Sequence, residues 1–507
     1  MSNYRQRLTQ FLMTHPLVSA LVLGALARAM AATFGMSFHA RDDYFHVLEP
    51  ALAFLADPHF HWEQSTLAGA GIRSHLVPRL VTLLLQAAHA TGFTSPKAAL
   101  QFVYCAIGAY SLLSIVGVHV LSGRLLSPPA RILATFFSAL HFAMPYAGTR
   151  LLIEAMAMPP FLFALYVATW PKPSRFFLSG MLLGLACWLR LQVAAAAIGM
   201  FVTLAFSSYR VLGTKKAAAY LSAFVGGGLL TFLLQGLFDL ATAGKFLGPL
   251  LGNLAANAKP QEELTRSSTF SYLGMWLLLT VPPATLVIFP PLVSAMRRIP
   301  LISVSFLSFV FLHSLIPHKE ERFMLPILPL FLMLLAAAIV LLWTPSYRQH
   351  WPRLTRFAKP TVLFLLVIHG VALGIAITNQ SQKNLFQAMD TLAQDPQASA
   401  AISLGPEWWA YFLGNLPSAR NSRFDALWFH DTWQSFQAQQ TPVNRILSFD
   451  SDTQKVHALF EKNHLECEKQ AVFAGYWLDR LIFAINPKHN RRRSPIVLWA
   501  CEPGSEE

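Results

Sequence analysis

Charge is what this sequence has least of. Asp, Glu, Lys and Arg make up 13% of its 507 residues, against about 25% in ordinary soluble domains. The deficit runs through the first three quarters of the chain, and 54% of all residues are hydrophobic. That excludes a soluble globular fold for this part and indicates a polytopic membrane protein. Cysteine is scarce too. Cys105 and Cys187 fall in apolar segments and read as core residues, while Cys467 and Cys501 lie in a polar region. No CxxC pair and no Cys/His metal spacing occurs. No internal repeat is visible, which argues against the symmetric halves of a secondary transporter. A cleavable signal is not evident, because the apolar stretch from Pro16 to Phe38 is too long for one. It reads as a first span, with Arg5 and Arg7 on the cytoplasmic side.

The net charge of +14 does not indicate nucleic-acid binding. Lys and Arg sit in small groups between apolar segments, as the positive-inside rule expects, and no nucleic-acid motif is present. Apolar segments recur at 17–38, 76–92, 98–122, 131–146, 152–170, 176–207, 218–238, 271–296, 299–316, 323–344 and 361–378. A straight helix crosses about 30 Å of hydrocarbon at about 1.5 Å per residue, so 176–207 is too long for one span. Arg190 in "WLRLQ" marks the expected division. Basic groups at Arg210, Lys215 and Lys216, at Arg297 and Arg298, and at Arg348, Arg353, Arg356 and Lys359 are assigned to the cytoplasm. The N-terminus then lies on that side and the C-terminus on the other, which demands an odd number of spans. Segment 76–92, with Pro78, Arg79 and His89, is the weakest candidate, and about eleven spans are expected.

Residues 1–378 therefore read as a transmembrane domain with a first extracytoplasmic loop at about 38–75. Residues 379–507 read as a small extracytoplasmic α/β or α+β domain. Its runs "ASAAISLG", "RILSFD", "QAVFAGYW", "RLIFAIN" and "PIVLWACEP" look like strands. Cys467 and Cys501, alone outside the apolar segments and on the oxidising side, are expected to form a disulfide.

Against this background two polar clusters stand out. "RDDYFHVLEPALAFL" follows the first span directly. It reads as an interfacial helix with Phe45, Leu48, Leu52 and Phe54 towards lipid and Asp42, Asp43, His46 and Glu49 elsewhere. Asp42 and Asp43 are alternatively plain helix caps. "PHKEERFMLPILP" places His318, Lys319, Glu320, Glu321 and Arg322 between two greasy segments. Glu63 in "HWEQS", Arg73 in "GIRSHLVP", Arg150 and Glu154 in "GTRLLIEAM", and Arg190 complete the set. A lone arginine here is more simply a snorkelling anchor; together, ionisable groups near a membrane mark a site. A carboxylate takes a proton from a hydroxyl, and a Lys/Arg/His cluster holds a departing phosphate. The combination suits transfer of a group from a lipid phosphate to a hydroxyl.

"HKEERF" resembles the signature of the lipid-phosphate-mannose-dependent α-mannosyltransferases of glycosyltransferase family 22, which have the GT-C fold. "RDDYFHVLEP", "HWEQS" and "GIRSHLVP" are similar to that family's other elements, in the same order. The Asp-Asp pair departs from the family's frequent Asp-Glu, and "WLRLQ" lacks the proline that often follows the arginine. The resemblance implies an inverting transfer of mannose from polyprenyl-phosphate mannose to a lipid-linked or surface glycan, giving an α-mannoside. It assigns Asp42 as base with Asp43 second, Glu49 as an orienting group, and His318, Lys319, Arg322 and Arg73 as phosphate ligands. Glu63, Arg150 and Arg190 are accessory. No cofactor is required by this chemistry; a divalent metal at Asp42 and Asp43 stays an open alternative. Other readings are a GT-C transferase using arabinose or glucose, a transporter or flippase, and a non-catalytic assembly subunit. A bacterial inner membrane with a periplasmic site is favoured over an endoplasmic-reticulum membrane with a luminal one.

Overall fold

The computed structural model describes residues 14–35, 37–39, 41–258, 267–406, 410–413, 416–421 and 425–503. Arg5 and Arg7 lie outside these. The chain divides into two units. The first comprises residues 1–32, 39–87 and 102–378, and the second 33–38, 88–101 and 379–507.

The first unit is helical throughout. Among the described residues, five helices are long and apolar enough to cross a membrane: Pro16–Phe34, Pro96–Leu125, Leu191–Ala243, Glu321–Leu341 and Ala358–Ile377. Ser271–Leu279 and Ala284–Arg298 form a sixth if counted as one span, bent by 104°. Five shorter apolar helices of 10–17 residues accompany them, among them Leu76–Ala90, Pro173–Leu189 and Pro300–Ser314. These helices occupy the apolar segments of the sequence, but length and composition alone do not return eleven spans. The breaks have local causes. Arg190 is extended (φ −145°, ψ 103°) and ends Pro173–Leu189, as its place in "WLRLQ" predicts. Gly213 (φ 74°, ψ 168°) kinks the long Ala194–Ala243 helix beside Lys215 and Lys216. Glycine also lets Pro173–Leu189 pack tightly on Ala194–Ala243. A Cβ on Gly180 would stand 1.9 Å from the Phe224 carbonyl oxygen, and one on Gly227 1.9 Å from that of Phe177. Such contact between backbones is how helices associate where water supplies no drive.

The first acidic segment forms a helical run, Arg41–Asp43, a wide turn over Tyr44–Leu48, then Glu49–Ala56. Its expected lipid-facing stripe is corrected: Leu48 and Phe54 are buried. Phe54 packs edge-on to Trp62, with centroids 6.3 Å apart. The apolar face of this helix therefore holds down the loop that follows it. Cys105, expected in the core, is exposed on its helix, and Cys187 is buried.

The second unit carries a mixed five-stranded sheet in the order β2-β1-β3-β5-β4. The strands are β1 (Ala401–Leu404), β2 (Ser418–Asn421), β3 (Arg445–Phe449), β4 (Leu465–Phe473) and β5 (Ile496–Pro503). β1 runs parallel to β2 and β3, whereas β5 is antiparallel to both β3 and β4. The helix Ala426–Ala438 makes the β2–β3 crossover that parallel strands require. It starts at Asp425, whose side chain accepts from the Leu427 and Trp428 amides. β1 and β3 are buried along their length, and Ile402, Ile446, Val497, Trp499, Phe429 and Phe460 form the core. "RLIFAIN" is helical, within Trp477–Ile485, where a strand is expected. Its amphipathic pattern has helical spacing that a short apolar run conceals. Cys467 and Cys501 face each other across β4 and β5 and form the expected disulfide, with Cα atoms 4.1 Å apart.

Candidate active site

Asp42 and Arg322 are 280 residues apart in sequence, and Arg322 Nη2 donates to Asp42 Oδ2 at 2.8 Å. The folding of the helical unit is what joins the two polar clusters. Arg322 enters from the short helix Glu321–Ile327, which opens the Leu328–Leu341 helix. It is 7% exposed and shared by three carboxylates. Nε and Nη2 donate to the two Glu320 oxygens at 2.6 and 3.0 Å, and Nε stands 3.9 Å from Glu154 Oε1. Glu154 is itself buried and pairs with Arg190 Nη2 at 2.8 Å. Arg73 Nη2 and His46 Nδ1 each approach Asp42 Oδ2 at 3.6 Å. His318 Nε2 shares Glu320 Oε1 at 2.9 Å.

The electrostatic result is a network of opposed charges that share partners. Burial alone would raise the Asp42 carboxyl, but the His46 ring and the Arg322 guanidinium outweigh it and hold Asp42 well below the usual carboxylate range. Glu320 is lowered in the same way, burial being overcome by its bonds from Arg322 and His318. Arg73 is pushed down to about 10 by burial and by the neighbouring charge of Arg190, and stays protonated at neutral pH. Three carboxylates (Asp42, Glu154, Glu320) thus meet three guanidiniums (Arg73, Arg190, Arg322). Arg73 Nε, His46 Nδ1 and His318 Nδ1 are nevertheless buried without a hydrogen-bond partner. The guanidinium donor of Arg73 left in this state suits an anionic oxygen.

These groups border a cavity of about 870 Å³, large enough for a drug-sized ligand. Asp42, Arg73, Arg190, His318 and Arg322 line it, among the residues the sequence singles out. The others are placed differently. Asp43 is buried beside Asp42 and accepts from the His39 amide at 2.9 Å, which fixes the start of the helix. Glu49 begins the Glu49–Ala56 helix and does not line the cavity. Lys319 turns back on its own loop, donating to the Ile316 carbonyl at 2.6 Å. Arg150 is fully buried, bonded to the Ala31 carbonyl at 3.2 Å and stacked near Tyr104 and Tyr146. Glu63 accepts from His75 at 2.9 Å, and His75 packs on Trp62 with centroids 5.1 Å apart. "HWEQS" and "GIRSHLVP" are therefore one braced loop that presents Arg73. Among the described residues no group of three or more His, Cys, Asp and Glu is placed to hold a metal.

The sequence places Glu320, Glu154 and His46 in its polar clusters but assigns none of them a role. Glu154 was detectable as a carboxylate inside an apolar segment. Nothing local separates Glu320 from Glu321, which is exposed.

Comparison with known proteins supplies the family and the fold. The Alg9-like mannosyltransferase family model matches residues 19–411. No curated protein matches the chain at a significant level. Among solved structures, ArnT from Cupriavidus metallidurans bound to undecaprenyl phosphate superposes with a TM-score of 0.53 at 12% identity, covering 97% of this chain and 100% of that one. The Archaeoglobus fulgidus oligosaccharyltransferase in the apo form gives 0.53 at 10% identity, covering 88% and 71%. The same archaeal enzyme, AglB, in complex with an inhibitory peptide and a dolichol-phosphate gives 0.51 at 11% identity, covering 89% and 71%. At these identities the likeness shows the fold, which is GT-C.

Proposed function

This chain belongs to the Alg9-like mannosyltransferase family and is an integral-membrane glycosyltransferase, and we propose that it moves mannose from a polyprenyl-phosphate mannose to a glycan hydroxyl. The observation that carries the reading is the Asp42–Arg322 contact at the edge of the cavity. A base and a phosphate ligand must share one sugar phosphate, so they must lie together.

In the step proposed, the acceptor oxygen attacks the anomeric carbon while the bond from that carbon to the phosphate oxygen breaks. The electron pair leaves on the lipid phosphate, and the hydroxyl proton passes to Asp42. One displacement inverts the centre, so a β-linked donor gives an α-mannoside. Arg322 and Arg73 stabilise the departing phosphate, aided by His318. The resting geometry adds a condition. A carboxylate clamped at 2.8 Å by a guanidinium is a weak base. A phosphate that takes over Arg322 loosens that clamp and raises the basicity of Asp42 where it is needed. Asp43, tied to the His39 amide, orients the segment rather than reacting. The charges needed by the leaving group come from side chains, so chelators are expected to leave the rate unchanged.

We place the C-terminal unit outside the cytoplasm, supported by its disulfide, which persists only where thiols are oxidised. A bacterial periplasm fits best, the endoplasmic-reticulum lumen being the alternative. The test is transfer from labelled polyprenyl-phosphate mannose by purified protein, with the product challenged by an α-specific mannosidase. Label transferred only from a different lipid-phosphate sugar, or a product resistant to that mannosidase, would overturn the mannose assignment.

A further inference from the structure

Besides the ionised groups described above and a number of apolar side chains, the cavity is lined by four neutral amides, Gln192, Gln235, Asn253 and Asn257, and by Trp188, taken together as its neutral wall. These residues come from separate elements. Trp188 closes the Pro173–Leu189 helix, Gln192 lies in the turn after it, and Gln235 lies on Ala194–Ala243. Asn253 and Asn257, four residues apart, share one face of the helix Gly248–Ala258.

The neutral wall is fixed in place. Asn253 Nδ2 donates to the Ile72 carbonyl at 3.3 Å, and Asn257 Nδ2 donates to Asn253 Oδ1 at 3.1 Å. Trp188 Nε1 donates to Ser74 Oγ at 3.1 Å, and Ser74 Oγ donates to the buried Asp239 at 3.3 Å. Gln192 Oε1 accepts from Arg190 Nε at 3.0 Å. Ile72 and Ser74 flank Arg73, so the amide wall and the phosphate wall are anchored to the same three residues. The Gly248–Ala258 helix also lies hard against that loop: a Cβ on Gly252 would stand 2.0 Å from the Gly71 carbonyl oxygen.

We infer that this wall is a sugar-hydroxyl subsite, a positioning surface for a pyranose ring beside the reacting phosphate. Neutral hydroxyls are both donors and acceptors. Amides offer both functions at fixed angles, and an indole face covers the apolar side of a ring. The amide of Gln235, which is 5% exposed, bonds the Asp239 carboxylate, and this fixes its orientation at the cavity. This inference rests on the transferase reading. The ring is either the donor's transferred sugar or the acceptor's terminal sugar, and kinetics separate the two.

The experiment compares wild type with Asn257→Ala and Gln235→Leu in a transfer assay using whichever lipid-phosphate sugar the wild type accepts. Asn257 is exposed, so its variant keeps the fold even if the Gln235 variant does not insert. Each lost hydrogen bond to a hydroxyl is expected to raise one KM about 3- to 10-fold with kcat near wild type. A rise in the acceptor KM assigns the subsite to the acceptor, and a rise in the donor KM assigns it to the transferred sugar. KM values unchanged for both substrates in Asn257→Ala would overturn the subsite, as would a loss confined to kcat. A wild type that ignores mannose donors would count against the mannose assignment and leave this comparison intact.

Discussion

In the C-terminal unit, charges pair one to one: Arg445 Nε donates to Asp395 at 2.7 Å, and the partly exposed Arg491 and Arg493 hold the buried Asp452 and Asp479. In the helical unit a single guanidinium, Arg322, is divided among Asp42, Glu320 and Glu154 beside an open cavity. The first arrangement closes a structure. Arg445 and Asp395 tie the strand β3 to the chain ahead of the sheet. The second is crowded with carboxylates and still leaves Arg73 Nε and His318 Nδ1 without partners. Shared, incompletely satisfied charge facing a cavity marks a site; paired charge inside a fold marks a brace.

The largest effect that would break this comparison is on activity. Asp42→Asn keeps the shape, removes the base and is expected to cut kcat by about 10²–10⁴-fold while expression and insertion are unchanged. Transfer at the wild-type rate would return Asp42 to a helix cap. Next comes the brace side. Cys467→Ser opens a bridge spanning 34 positions in sequence and should cost the C-terminal unit about 3–4 kcal/mol by the chain-entropy relation. Proteolysis of that unit reads this loss; protease resistance equal to wild type would mean the bridge constrains nothing. The smallest effect is on pH. Because Asp42 is held below the ordinary range, its ionised form contributes stability above the unfolded carboxylate pKa of about 3.9. That contribution is lost as pH falls through the lower native value. The acid limb of kcat/KM should accordingly lie below the normal carboxylate range. Arg322→Ala should move that limb upward, and a limb that stays in place would detach Arg322 from the base.

Patterning in the sequence already determined the membrane class, the positions of most apolar helices, the change of character after residue 378 and the two polar clusters. These follow from composition, because lipid forces backbone polar groups into helices and makes each charge costly. The motifs also pointed to Asp42, Arg73, Arg190, His318 and Arg322, all of which line one cavity. Tertiary structure decided what local spacing cannot carry. It turned Leu48 and Phe54 inward, Phe54 against Trp62 of the loop that follows. It folded Lys319 back onto Ile316 and buried Arg150 away from the cavity, although both sit in charged motifs. It selected Glu320 over its neighbour Glu321 and brought Glu154 from another element to the same guanidinium. It also brought Gln192, Gln235 and the pair Asn253 and Asn257 from three segments of the chain to one cavity. A charge read along the chain has a residue type and a depth; its partner is chosen only when distant helices pack, since a contact of about 3 Å depends on where both backbones end up.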